Sequence, residues 1–154
     1  MKQPPRPTID VDEFNTWRDA NPEPAPDLPM LRKVISAIDA EPDRWSQHSW
    51  GHFIQDQSGE WSCGTARCVA GWAATFAPTL VTEQESPHSP PDLVISDTAS
   101  YALGLTRWEA IDLFESSMYV RIDPCSGTHA SRSEQRENIQ VIAEQIAERA
   151  GETL

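Results

Sequence analysis

The chain has 154 residues, 38% hydrophobic content and a formal net charge of −12, enough for one domain around one modest core. That charge argues against non-specific binding to nucleic acid or an anionic membrane surface, and suits an acidic protein that occupies a basic surface on a partner. No segment reaches the roughly 18 apolar residues of a membrane span, Met1-Lys2-Gln3-Pro4-Pro5 lacks the apolar core of a secretory signal, and three cysteines without framework spacing point to a reducing cytoplasm.

The acidic residues are spread along the chain and form no block, which weakens a DNA-mimic reading. Residues 1–26 read as a Pro-rich N-terminal arm with a short helix, and 27–154 as a single helical domain. Ile9 to Ala20 suits an amphipathic helix, with Thr8 as cap and Val11, Phe14 and Trp17 on one face. Asn21 to Pro29 carries four prolines and reads as a linker. The first helix therefore either packs back on the domain or waits for a partner.

Asp27 caps a clear helix over Leu28 to Ala40, with Leu31, Val34, Ile35 and Ile38 as its core stripe. Glu41-Pro42 stops it, and Pro42 to Trp45 suits one further turn. Residues 50–55 and 60–63 read as the strands of a small β-hairpin around a Gly-containing turn, which is marginal alone and must lie on the helices.

The focal stretch runs from Trp61 to Phe76. Gly64 permits a tight turn, Thr65 caps, and from Ala66 the residues are apolar nearly all round, with Arg67 the only charge. This predicts a central buried helix, ended by Pro78. Small residues at Ala66, Ala70, Gly71 and Ala74 admit close neighbours, and Gly71 in mid-helix predicts something packed on its backbone. On that reading Cys63 precedes the helix N-terminus, where the dipole lowers a thiol pKa, and Cys68 lies about one turn inside as a small buried thiol.

Residues 77–96, with Pro78, Pro87, Pro90 and Pro91, read as one long loop whose end is pinned by Leu93, Val94 and Ile95. Thr98 to Leu103 suits a short helix closed by Gly104. Thr106 and Glu109 form a capping box for a helix reaching about Ser116, with Trp108, Ala110, Ile111 and Phe114 available for burial. With one base and three acids over residues 107–115, that helix is a poor groove reader, so no direct nucleic-acid partner is expected. A second box, Ser131 and Glu134, opens the last helix, Arg132 to Arg149, closed by Gly151. Its buried stripe is Ile139, Ile142, Ala143, Ile146 and Ala150. The fold class is mainly α: five to six helices with a small β-hairpin before the central buried helix.

The pattern Trp61-x-Cys63-Gly64-Thr65-x-x-Cys68-x-Ala70-Gly71-Trp72 resembles a motif of small uncharacterised proteins of actinobacteria and their bacteriophages. In that family it is followed by segments like Ala102-Leu103-Gly104-Leu105-Thr106 and Glu109-Ala110-x-x-Leu113-Phe114, both present here. The resemblance covers roughly residues 28–116 and carries no activity to transfer. A fainter likeness is to papain-type thiol enzymes, whose nucleophile follows Cys-Gly-Ser and opens a helix. The spacing here, Cys-Gly-Thr-x-x-Cys, puts the nucleophile elsewhere.

Three constellations bear on chemistry. A cysteine-dependent hydrolase or transferase would use Cys63 at a helix N-terminus, with Cys68 and His52 as further candidates. A zinc-stabilised fold would draw on Cys63, Cys68, His48 and His52, although the pair spacings lack a Cys-x2-Cys knuckle. A binding module would use the generous tryptophan content: Trp50, Trp61, His52 and Arg67 are its candidate contact residues. The preferred reading is a small acidic cytoplasmic accessory protein, phage-encoded by resemblance. It would bind a host protein or a small-molecule ligand, in host modulation or counter-defence, without a cofactor and without a membrane. A homodimer is compatible with the sequence.

Overall fold

The computed structural model describes residues 7–47, 53–55, 61–63, 68–115, 117 and 130–154, with 53–55 and 61–63 described as strand backbone. In chain order the elements are β1 (Thr8–Asp10), α1 (Val11–Ala20), α2 (Leu28–Ala40), a 3-10 turn (Pro42–Arg44), β2 (Phe53–Gln55), β3 (Trp61–Cys63), α3 (Val69–Phe76), β4 (Leu80–Glu83), β5 (Asp92–Leu93), α4 (Ile95–Leu103), α5 (Arg107–Phe114) and α6 (Arg132–Arg149). The fold is mainly α, and β2 and β3 form the expected antiparallel hairpin ahead of α3, with Phe53 opposite Cys63 and Gln55 opposite Trp61.

Helix α3 is the centre. Val69 through Ala74 are buried without a break, and α2, α4 and α5 pack around them. Apolar side chains supply the other walls: Leu31, Val34, Ile35 and Ile38 from α2, Leu103 from α4, Leu113 and Phe114 from α5, and Ile139, Ile142 and Ile146 from α6. A helix with no polar face has to sit inside such a shell. The start of α3 differs from expectation. Its cap is Cys68, not Thr65, so Cys68 stands at the helix boundary and Cys63 ends a strand before it.

The capping chemistry read from sequence is otherwise largely present. Asp27 accepts the Met30 N–H at 2.9 Å. Thr106 and Glu109 form a complete box, at 3.2 and 2.9 Å. Ser131 accepts the Glu134 N–H at 3.2 Å, while the Glu134 carboxylate takes the Ser131 hydroxyl. Helix α1 starts two residues later than Thr8 would place it and is capped by Asp10.

Three expectations are corrected. Residues 77–96 are not one loop, because β4 and β5 lie within them and pair antiparallel, with Thr82 opposite Leu93. β1 adds to β4 in parallel, giving a three-stranded sheet in the order β1-β4-β5. Trp108 does not enter the core: it is 74% exposed, since Ala110, Leu113 and Phe114 form the inner face of α5. Ala150 is exposed and Ala147 takes the inner position on α6, because the helix cap falls at Ala150.

The N-terminal segment is docked on its own domain. Phe14 is fully buried, its ring 5.8 Å from Trp17 and 6.3 Å from Tyr101 of α4. The linker is fixed by Asp27 N–H donating to Leu103 O at 2.9 Å and by Arg149 donating to Pro24 O at 2.8 Å. Arg149 also forks onto Glu109 at 2.6 and 3.0 Å, so one guanidinium ties linker, α5 and α6 together.

Candidate functional site

Two places stand out among the described residues: a buried polar junction and an exposed helix stripe.

The junction centres on Gln47. Its amide Nε2 donates to Leu113 O (3.0 Å), Phe114 O (3.3 Å) and Ser117 Oγ (2.8 Å). Its Oε1 accepts the Val69 N–H and the Trp45 indole N–H, both at 3.3 Å. The last carbonyls of α5 and the first N–H of α3 are orphan groups of helix ends, and one amide satisfies both kinds. Asn138 extends the network by donating to Ser117 O at 3.1 Å, and Gln135 by donating to Ala130 O at 3.0 Å. Arg132 donates to Pro42 O at 2.5 Å and to Trp45 O, its guanidinium 5.6 Å from the Trp45 ring. The chain points at 45–47, 68–69, 113–114, 117 and 130–132 thus meet at one end of the bundle.

Cys68 lies at this junction. Its Sγ accepts the Gly71 N–H at 3.5 Å, serving as the α3 cap, and it is only 2% exposed. Burial pushes the thiol pKa up, against the opposing pull of the Gly71 N–H. The helix terminus that would activate a thiolate is occupied by a thiol held neutral, which suits packing and not attack.

Of the other residues singled out, His48, Trp50, His52 and Arg67 lie outside the described residues. Trp61 and Cys63 belong to β3, where the backbone alone is described. Cys63 is therefore not at the N-terminus of α3, and the dipole that would have lowered its pKa reaches only the first turn. Among the described residues no group of three or more His, Cys, Asp or Glu side chains could hold a metal.

The stripe is on α5. Trp108, Asp112 and Glu115 follow at i, i+4 and i+7 spacing, all exposed, on the side opposite Ala110, Leu113 and Phe114. Neither Asp112 nor Glu115 has a basic partner among the described residues, whereas Glu109 on the flank is held by Arg149. This face is hidden in the sequence, where Trp108 is simply available for burial; its i, i+4, i+7 relation to two acids is the available signal.

A cleft of about 350 Å³ opens beside the β4–β5 turn, lined by Glu83, Glu85, Asp92 and residues 93–96. Asp97 next to it is pushed up in pKa by burial, opposed by Arg18, whose guanidinium is 3.5 Å away, and reinforced by Glu83. No helix of the described residues is long and apolar enough to cross a membrane. No protein-family model, no curated protein and no solved structure matches this chain.

Proposed function

We propose that this chain is a small accessory protein that acts in the cytoplasm by binding a host protein, with α5 as its contact face. The observation that carries the reading is Trp108, 74% exposed on a helix whose Leu113 and Phe114 are buried. A tryptophan left in water forgoes its large apolar burial, and tryptophan is enriched where partners dock. An indole this exposed encloses nothing itself, so it suits a protein surface that comes to it better than a small ligand. The burial and raised pKa of Cys68 weigh against thiol catalysis at that residue. The resemblance of the motif around Cys63 and Cys68 supports a phage-encoded protein of an actinobacterial host, for which host modulation or counter-defence is the role we assign without help from the motif.

The test compares two baits. Wild type and Trp108→Ala, matched in folding by circular dichroism, are offered to actinobacterial lysate, and retained proteins are quantified by mass spectrometry. The reading expects at least one protein enriched on wild type and lost from Trp108→Ala. Identical sets on both baits would overturn it.

A further inference from the structure

The charge pattern of α5 identifies the chemistry of the surface it meets. Trp108, Asp112 and Glu115 fall within one narrow stripe of the helix. The two carboxylates sit in the C-terminal half, where the macrodipole is negative and cations are favoured. The last turn of α5 carries no basic residue. Two acids therefore stand at the disfavoured end of a helix with no compensating base among the described residues. The basic groups of α6 are engaged elsewhere: Arg149 with Glu109, Arg136 with Asp39 at 2.8 Å, and Arg132 with main-chain carbonyls. Arg107, the one base on α5 itself, projects about 100° round the helix from Trp108. The chain as a whole carries −12.

We propose that this stripe docks a basic segment of a protein partner, with an Arg or Lys side chain lying on the Trp108 indole and neighbouring bases pairing with Asp112 and Glu115. The inference rests on the docking role of α5 given above and supplies its chemistry. An aromatic face flanked by carboxylates is the arrangement that receives a guanidinium, through the ring quadrupole on one side and charge-assisted hydrogen bonds on the other. A cation arriving there also relieves the repulsion between the two acids and the helix end.

The probe is a fluorescein-labelled, alanine-based helical peptide with Arg at every fourth position, with a Gln version as its control, read by anisotropy at low salt. Wild type should bind the Arg peptide at least tenfold tighter than the Gln peptide. Trp108→Ala, and separately Asp112→Asn with Glu115→Gln, should each weaken the Arg complex by about tenfold. Glu83→Gln with Glu85→Gln removes the same charge on a remote face and should change it by less than twofold. Equal weakening by the remote pair means binding to bulk negative charge and overturns the inference, as does an unchanged Trp108→Ala complex. A wild type that sediments as a dimer dissociated by Trp108→Ala overturns it in favour of a second copy on this face. If lysate capture stays Trp108-dependent while the Arg peptide shows no preference, the basic segment is wrong and the docking role stands. If Trp108-dependent capture is itself absent, both fall.

Discussion

Replacing Gln47 by leucine removes one side chain that serves five partners. Leucine keeps most of the volume but offers no polar atom. The Val69 N–H and the Trp45 indole N–H then lose the oxygen they reach at 3.3 Å. Both donors are buried, and each left unsatisfied costs about 1–3 kcal/mol. The carbonyls of Leu113 and Phe114 also lose a donor, although Ser117 Oγ still donates to Leu113 O at 2.9 Å. The sum is roughly 3–5 kcal/mol against a total of about 5–15 for a domain. In urea, with a slope of about 2 kcal/mol/M, the midpoint should fall by about 2 M with the slope unchanged. Gln47→Glu supplies an internal control. It keeps an oxygen for Val69 and Trp45 but turns a carboxylate toward two carbonyls and a hydroxyl. It should be poorly stable at pH 7 and recover as the pH falls and the group regains its proton. A loss below about 1 kcal/mol for Gln47→Leu would refute the claim that this amide holds the junction together.

Gly104→Ala places a Cβ 2.1 Å from Ala25 O at a φ of +62°, so it should lose more than about 3 kcal/mol in chemical denaturation, whereas Gly151→Ala, at φ +73° with open space around it, should lose about 1. Native Cys68 should react with a maleimide at the rate of unfolding, and Cys68→Ser should stay within about 1 kcal/mol of wild type because a hydroxyl caps at least as well, a thiol-labelling and melting pair of measurements. Asp97 has a folded pKa above its ordinary 3.8, so it binds a proton more readily folded than unfolded, and its contribution to stability falls as pH rises from 3.8 through that raised value. Asp97→Asn should therefore gain stability at pH 7 and lose that gain near pH 3. Asp39 has the opposite sign: Arg136 holds its carboxyl below 3.8, and the pair's contribution, present above 3.8, fades as pH falls through the lowered value.

The elements that the sequence made plain are those whose signal is local. Asp27, Thr106 and Ser131 precede their helices by a fixed number of residues, and the α2 stripe of Leu31, Val34, Ile35 and Ile38 repeats at helical spacing. What stayed hidden depends on contacts far along the chain. β1, β4 and β5 are two to four residues each, too short to show alternation, and β1 finds its partner only at Leu80 to Thr82. Gln47 looks like any polar residue after a turn, because its partners lie 22 to 70 residues away apart from Trp45. The start of α3 was misplaced because Thr65 is the better cap by residue preference, yet the structure uses the weaker acceptor Cys68. Trp108 reads as available for burial because an eight-residue helix shows barely two turns of periodicity, and a tryptophan in it passes for core.

The central claim is that α5 meets a protein partner at Trp108, and site-specific photo-crosslinking tests it most directly. A photoreactive phenylalanine analogue is placed at position 108 and, in a second sample, at exposed position 85 on the β4–β5 turn. Irradiation in actinobacterial lysate should give a discrete heavier adduct from position 108 and none from position 85. The adduct should weaken as salt rises from about 50 to 500 mM, in step with the shortening Debye length. A bare chain at position 108, or the same adduct ladder from both positions, would contradict the account.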